Sequence, residues 1–289
     1  KLVRERAIPI GENTGLLQIK NLARDIKIDK IRKGDVVRED LNEEYKSFLL
    51  KKAGLLEEIE AAGDIKFDFD PDGDRFFVYE KNKQIRADLI SGIVIKDFID
   101  KRYFFSKIFG KQKFVYDLRL TKAIPEYIKK SGGIAIRSRV GHSFIEETMK
   151  KNKAVFGAEF SGHFYFKDTF YGEAPILMKL KILKIMKESG KSIKELIEPF
   201  QKYFHSGEIS LEARSEEQAA STIKRLKESY KDGEIDELDG ITVEYSDWWF
   251  NLRPSNTEPV LRLVVEAKAR YVLDQKVKEI SEIIHRFSV

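Results

Sequence analysis

The run Phe67-Asp68-Phe69-Asp70-Pro71-Asp72-Gly73-Asp74-Arg75-Phe76-Phe77-Val78-Tyr79 places three carboxylates, Asp70, Asp72 and Asp74, at every second position between two apolar segments. The alternating Phe67 and Phe69 predict a half-buried strand, Phe76 to Tyr79 a second strand, and the Asp-Pro-Asp-Gly between them a tight turn. Three carboxylates this close repel one another unless a cation sits among them. Hard, all-oxygen ligands suit Mg²⁺, an ion that commonly takes phosphate oxygens as well. Arg75 strengthens the link to phosphate, because a guanidinium pairs with its oxygens in a fork. An ordinary surface turn has the same composition. A calcium-binding EF-hand is excluded: its bidentate Glu would fall on Tyr79, and the flanks read as strands rather than helices.

The rest of the composition narrows the class. A length of 289 residues allows about two or three domains. With no cysteine there is neither a disulfide framework nor a zinc–thiolate site, which accords with a cytoplasmic location. No apolar run is long enough to span a membrane. The net charge of +5 comes from 53 basic and 48 acidic residues that are interspersed, so no basic tract marks a nucleic-acid surface, while a mild positive excess suits an anionic substrate.

Outward from the aspartate loop, hydrophobic periodicity predicts amphipathic helices near 14–26 and 40–52, with no strand pair before residue 54. Strands are expected at 64–69, 75–80, 113–117, 133–137 and 153–157, and helices at 88–103, 121–130, 143–151, 173–189 and 193–203; this alternation means a layered α/β architecture. Beyond about 205 a strand at 207–213, a helix at 215–230, strands at 240–245, 248–252 and 260–267 and a helix at 272–287 read as a small α+β unit. Ser192 with Glu195, Ser143 with Glu146, and Ser215 with Gln218 have capping-box spacing.

Three further loops carry chemistry. Gly157-Ala158-Glu159-Phe160-Ser161-Gly162-His163 offers an acceptor, a hydroxyl and a titratable group, a set suited to sugar hydroxyls and a proton transfer, although a structural loop is the plainer reading. Arg139-Val140-Gly141-His142-Ser143 opens a helix, whose free N–H groups favour anions, and Arg119 follows a strand end. Arg253-Pro254-Ser255-Asn256-Thr257-Glu258-Pro259 combines what reads as an unpaired arginine with small donors in a stiff turn, which fits a phosphate nest.

Taken together and in this order, DPDGDR, GHS, GAEFSGH and RPSNTEP resemble the α-D-phosphohexomutase superfamily, and within it phosphomannomutase/phosphoglucomutase. The resemblance implies that Asp70, Asp72 and Asp74 hold Mg²⁺. It implies catalytic roles for Arg75, Arg119 and His163, and substrate contacts for Gly141, His142, Glu159, Ser161, Arg253, Ser255, Asn256 and Thr257. The implied reaction interconverts hexose 6-phosphate and hexose 1-phosphate, of mannose or glucose, through an enzyme phosphoserine and a 1,6-bisphosphate; a phosphoglucosamine mutase or a noncatalytic sugar-phosphate-binding module is the alternative. The expected partner is a hexose phosphate, with neither nucleic acid nor membrane, in a monomer or weak homo-oligomer. The implied fold is a multidomain set of α/β layers with a C-terminal α+β domain. Residues 1–84 correspond to a remnant of a first domain and a shortened second domain carrying the metal loop, 85–203 to a third α/β domain with the sugar loop, and 204–289 to the phosphate-binding domain. The family's Ser-His-Asn phosphoserine segment is not found in the sequence, which starts at Lys1. This polypeptide is therefore expected to bind sugar phosphate without turning it over.

Overall fold

The computed structural model describes residues 3–4, 8–9, 16–25, 40–55, 64–102, 110–212, 215–255 and 258–288. Near the start, β1 (Val3–Arg4) pairs antiparallel with β2 (Ile8–Pro9), which corrects the expectation of no strand pair before residue 54. Two-residue strands are too short to leave a period in the sequence. Helices α1 (Leu16–Asp25) and α2 (Asn42–Ala53) follow. Gly54 stops α2 in a left-handed conformation at φ 73°.

The hairpin predicted around the aspartate loop is present. β3 (Ile65–Phe69) and β4 (Phe76–Glu80) pair antiparallel, and β5 (Lys83–Ile85) adds a third strand that three residues were too few to announce. Phe67 and Phe69 were placed on one face by their spacing, and both rings meet Phe76, at 5.5 and 5.7 Å.

The central layer consists of α3 (Ala87–Arg102), β6 (Lys113–Asp117), α4 (Ala123–Lys130), β7 (Ile134–Ser138), α5 (His142–Asn152), β8 (Phe156–Ala158), β9 (Phe164–Phe166), α6 (Pro175–Ser189) and α7 (Ile193–Ile197). Its sheet order is β7-β6-β8-β9, with the first three strands parallel and β9 antiparallel to β8. Phe114, Phe156, Phe164 and Phe166 fill the core between this sheet and its helices. The strand expected from 153 starts only at Phe156, because Lys153 caps α5 in a left-handed turn at φ 55°. The helix expected to reach 203 leaves α geometry after Ile197, at Pro199. The Ser192–Glu195 capping box forms, and Ser215 accepts the Gln218 N–H. No box forms at Ser143. Gly141, at φ 128°, precedes the helix, Ser143 lies inside it, and the buried Glu146 pairs with Lys150 at 2.9 Å.

The C-terminal unit is an antiparallel sheet of β10 (Phe204–Glu212), β11 (Glu234–Asp236), β12 (Ile241–Glu244), β13 (Trp248–Pro254) and β14 (Val260–Ala267), ordered β10-β14-β13-β12-β11. Phe250, Leu252, Leu263 and Val265 face α8 (Glu216–Ser229) and α9 (Arg270–Ser288) in a second core. Strand alternation then sends Trp249, Arg253, Arg262 and Glu266 to the opposite face, toward the central layer. Among the described residues, no helix is long and apolar enough to cross a membrane.

Candidate functional site

Because β6, β7 and β8 are parallel and in register, their C-terminal ends share one edge, and the segments following Asp117, Ser138 and Ala158 emerge together. Asp117 fastens two of them. Its carboxylate accepts from the Arg119 backbone N–H at 2.7 Å and from the guanidinium at 2.6 and 3.2 Å, while Oδ2 also accepts the Phe160 N–H at 2.9 Å. Both Asp117 and Arg119 are buried. Burial opposes the guanidinium charge, yet Asp117, Glu208 and Glu159 outweigh it and raise the Arg119 pKa. The sequence reading missed Asp117. A carboxylate ending an apolar strand was the available signal.

The sugar loop folds on itself: the Glu159 N–H donates to the His163 carbonyl at 3.0 Å, and Gly162 to Glu159 at 3.2 Å. Ser161 Oγ lies 2.9 Å from His163 Nδ1 and donates to Glu159 at 3.3 Å. The Tyr165 hydroxyl donates to Glu159 from below. Burial pushes the Glu159 carboxyl up from its ordinary value; Asp117 adds to the shift, and His163, Tyr165 and Arg119 work against it. The Phe76 N–H donates to the Gly162 carbonyl at 3.0 Å, which stitches this loop to the aspartate hairpin. Gly162 sits at φ 96°, and an added Cβ would lie 3.1 Å from Phe77 and 3.3 Å from the Phe76 carbonyl. Gly162→Ala is therefore expected to cost about 1–3 kcal/mol, read from the urea midpoint.

Across that seam, His163 Nε2 lies 3.2 Å from Asp74 Oδ1 and 3.4 Å from Arg75 Nε. It donates to the first or accepts from the second, and Ser161 complements either tautomer at Nδ1, so the imidazole finds partners with its proton on either nitrogen. In the aspartate loop, Asp70 Oδ1 accepts the N–H groups of Asp74 (3.1 Å) and Arg75 (3.0 Å), and the Gly73 N–H closes the turn on the Asp70 carbonyl. Asp70, Asp72 and Asp74 each present an oxygen, all within 4.8 Å of one another, a donor set that fits a hard divalent cation. Asp74, His163 and Glu173 form a second set of the same size, with Asp74 common to both.

The phosphate-nest reading of the C-terminal loop needs one correction. Arg253 is buried and paired, its Nη2 donating to Glu208 at 3.0 Å, and Arg119 reaches the same carboxylate at 2.9 Å. Sequence spacing hid this because a β-bulge between His205 and Glu208, with Gly207 at φ 74°, sets the register of Glu208. Among the described residues, Arg253 Nε is buried and has no hydrogen-bond partner. The Ser255 N–H donates to the Val260 carbonyl, while Asn256 and Thr257 lie outside the described residues. Gly141 and His142 open α5 at the same sheet edge, and their loop is tied to the C-terminal unit by the Val140 N–H to Asp239 (3.0 Å) and by Arg137 to Asp236. A continuous chain of contacts thus runs from Asp70 through Arg75, His163, Glu159, Arg119 and Glu208 to Arg253.

Comparison with known proteins identifies the family. The family model for the phosphoglucomutase/phosphomannomutase alpha/beta/alpha domain III matches residues 87–203, and that for the family's C-terminal domain matches 211–283. Together they cover more than half of the chain. The chain belongs to the phosphoglucomutase/phosphomannomutase family, within the α-D-phosphohexomutase superfamily. A phosphomannomutase of Methanocaldococcus jannaschii is 44% identical over 217 residues, 75% of this chain and 46% of that protein. A phosphoglucomutase/phosphomannomutase family protein of Burkholderia thailandensis superposes with a TM-score of 0.66 at 24% identity, over 85% of this chain and 50% of that one. An Aspergillus fumigatus N-acetylphosphoglucosamine mutase, in complex with GlcNAc-6P and magnesium, superposes with a TM-score of 0.59 at 14% identity, over 84% of this chain and 53% of that one. The chain spans about half the length of the curated relatives it matches. Within the phosphoglucomutase/phosphomannomutase family, then, this chain carries the third and C-terminal domain sequences, preceded by the acidic hairpin.

Proposed function

We propose that this chain forms the metal- and sugar-phosphate-binding part of a mutase that interconverts hexose 6-phosphate and hexose 1-phosphate, with mannose or glucose as the sugar. The observation that carries the reading is the unbroken line of contacts from the acidic hairpin to Arg253, which joins a cation site, a titratable histidine, hydroxyl-binding groups and two arginines. The domain reading divides the chain at about 84 and 203; in its support, the five-stranded C-terminal sheet begins at Phe204, just past the second boundary. A cytoplasmic setting suits a phosphorylated sugar as substrate.

Each group has a part. Glu159 and Ser161 accept and donate to sugar hydroxyls, the buried Glu159 being held in place by Tyr165. His163 takes the proton of the attacking hydroxyl and returns it to the leaving oxygen, a role its two-sided hydrogen bonding allows. Arg119 and Arg253 orient the substrate, with Arg253, Ser255, Asn256 and Thr257 taking the non-reacting phosphate and Gly141 and His142 lining the sugar site. Asp70, Asp72 and Asp74 would hold Mg²⁺, which when bound offsets negative charge beside Arg75. The phosphoryl donor is a phosphoserine of the whole enzyme, carried by the family's Ser-His-Asn segment and by none of the motifs above.

Calorimetry with glucose 6-phosphate, mannose 6-phosphate and glucosamine 6-phosphate in the presence of Mg²⁺ tests the reading. Binding of at least one is expected; no heat with any of them would refute a sugar-phosphate site. The coupled assay on mannose 1-phosphate, made with the whole enzyme, tests the turnover. For the cation, Asp72→Asn is expected to weaken Mn²⁺ or Mg²⁺ binding by at least about tenfold while leaving the metal-free melting temperature unchanged. Equal affinity in wild type and variant would move the cation elsewhere.

A further inference from the structure

His205 lies outside every motif of the sequence, yet it touches three parts of the site. It sits in the β10 bulge, where the register shifts between His205 and Glu208 and Ser206 Oγ accepts the Val265 N–H at 2.9 Å in place of a backbone carbonyl. The Gly207 N–H donates to His205 Nδ1 at 2.9 Å, so Nδ1 carries a lone pair. Nε2 then holds the proton and donates to the Arg119 carbonyl at 2.9 Å. These two bonds leave one tautomer. The ring also stacks on Phe160 of the sugar loop, with centroids 5.1 Å apart and planes 16° apart, and the Arg119 guanidinium lies 5.8 Å from the centre of the same Phe160 ring. Trp249 closes the imidazole edge-on at 6.3 Å.

We propose that His205 is a positioning residue: an imidazole held in one tautomer that sets the Arg119 backbone, the Phe160 loop and the bulge carrying Glu208 in the relation the sugar-phosphate site requires. The inference rests on the reading of that site as one for hexose phosphate. Protonation would break the arrangement, since a second N–H at Nδ1 would point at the Gly207 N–H. Burial, and then the Arg86 cation, push the His205 pKa down to about 4, against the opposing pull of Asp88 and Asp117. The bulge has the matching effect on Glu208, aiming its carboxylate between Arg119 and Arg253. A packing role alone would require neither a fixed tautomer nor two saturated ring nitrogens.

Two measurements test this. Long-range ¹H–¹⁵N spectra of the ligand-free chain are expected to show the Nε2–H tautomer of His205 persisting down to about pH 5. An Nδ1–H tautomer, or titration at the ordinary histidine value, would overturn the proposal. The second compares H205Q, whose amide reaches the Nε2 position and keeps a donor for the Arg119 carbonyl, with H205N, which is too short to reach it. H205N is expected to weaken hexose 6-phosphate binding by about tenfold and H205Q by less than about threefold, each corrected to the folded fraction. Loss of stability alone would lower the melting temperature of both and leave the corrected affinities equal to wild type, overturning the proposal. Failure of the wild-type chain to bind any hexose phosphate would instead overturn the reading of the site, and the tautomer measurement would still decide the state of the imidazole.

Discussion

Asp117→Ala is expected to destabilise the protein by about 3 kcal/mol and to weaken sugar-phosphate binding with it. The carboxylate is fully buried and accepts from the Arg119 guanidinium, the Arg119 N–H and the Phe160 N–H at once. Removing one partner of a buried pair strands the other charge, at a cost of about 3–5 kcal/mol. The lower end applies here because Arg119 keeps Glu208 at 2.9 Å and Glu159 at 3.8 Å. Urea denaturation followed by far-UV circular dichroism measures the effect, and Asp117→Asn, which keeps one of the two acceptor oxygens but loses the charge, should fall between wild type and Asp117→Ala. An unchanged midpoint in Asp117→Ala would mean that the sugar loop and Arg119 are anchored by something other than this carboxylate.

The second large effect is a pH profile. At the junction of the central and C-terminal layers, Glu266 Oε1 accepts from the Lys122 N–H at 2.8 Å and from Trp249 Nε1 at 2.9 Å. Burial, and then Asp88, raise its pKa to about 7, while Thr121, Lys122 and Trp249 hold it down. His205, the cross-strand partner of Glu266 on β10, is lowered to about 4. The signs are opposite. Between its ordinary value of 4.5 and about 7, Glu266 is protonated in the folded chain and ionised in the unfolded one, so stability falls as pH rises through that window and the loss is complete above it. Between about 4 and its ordinary 6.5, His205 is neutral when folded and charged when unfolded, so stability falls as pH drops. Over most of their shared range the two slopes cancel. E266Q retains the Oε1 acceptor and removes the first slope. The variant should be more stable than wild type at pH 8, by up to about 3 kcal/mol, and should lose about 1.4 kcal/mol per pH unit on acidification from 6.5, which the wild type does not. The only two tryptophans are Trp248 and Trp249, so their fluorescence reports this layer selectively. Identical profiles for the two proteins would show that Glu266 is ionised in the fold without cost.

Much of this architecture was legible locally. The Phe67–Tyr79 hairpin follows from alternation around Asp-Pro-Asp-Gly, and Phe67 and Phe69 do share a face against Phe76. The strands Lys113–Asp117 and Val260–Ala267 have the bounds expected from the sequence. Errors arose where a local signal had two readings. Ser143 and Glu146 have capping spacing, but Gly141 permits the backbone angle that starts the helix earlier. Strands β5, β9 and β11 are three residues each, below the length at which a period can be seen.

The sequence by itself determined the identity of the chemical loops: the triplet of aspartates, Glu159-Phe160-Ser161-Gly162-His163 and the Arg253 turn, each encoded within a few neighbouring residues whose turn geometry and donor types are local properties. Only the tertiary structure decided what those groups are bonded to. Asp117 becomes an anchor because parallel strands bring its end beside Phe160, 43 residues away in the chain. Arg253, unpaired on paper, is neutralised by Glu208, 45 residues distant, through a bulge that shifts the strand register. His205 and Glu266 take their unusual protonation from burial between two layers. Charge pairing and desolvation depend on distances through space, and those are set only when separate sheets pack against one another.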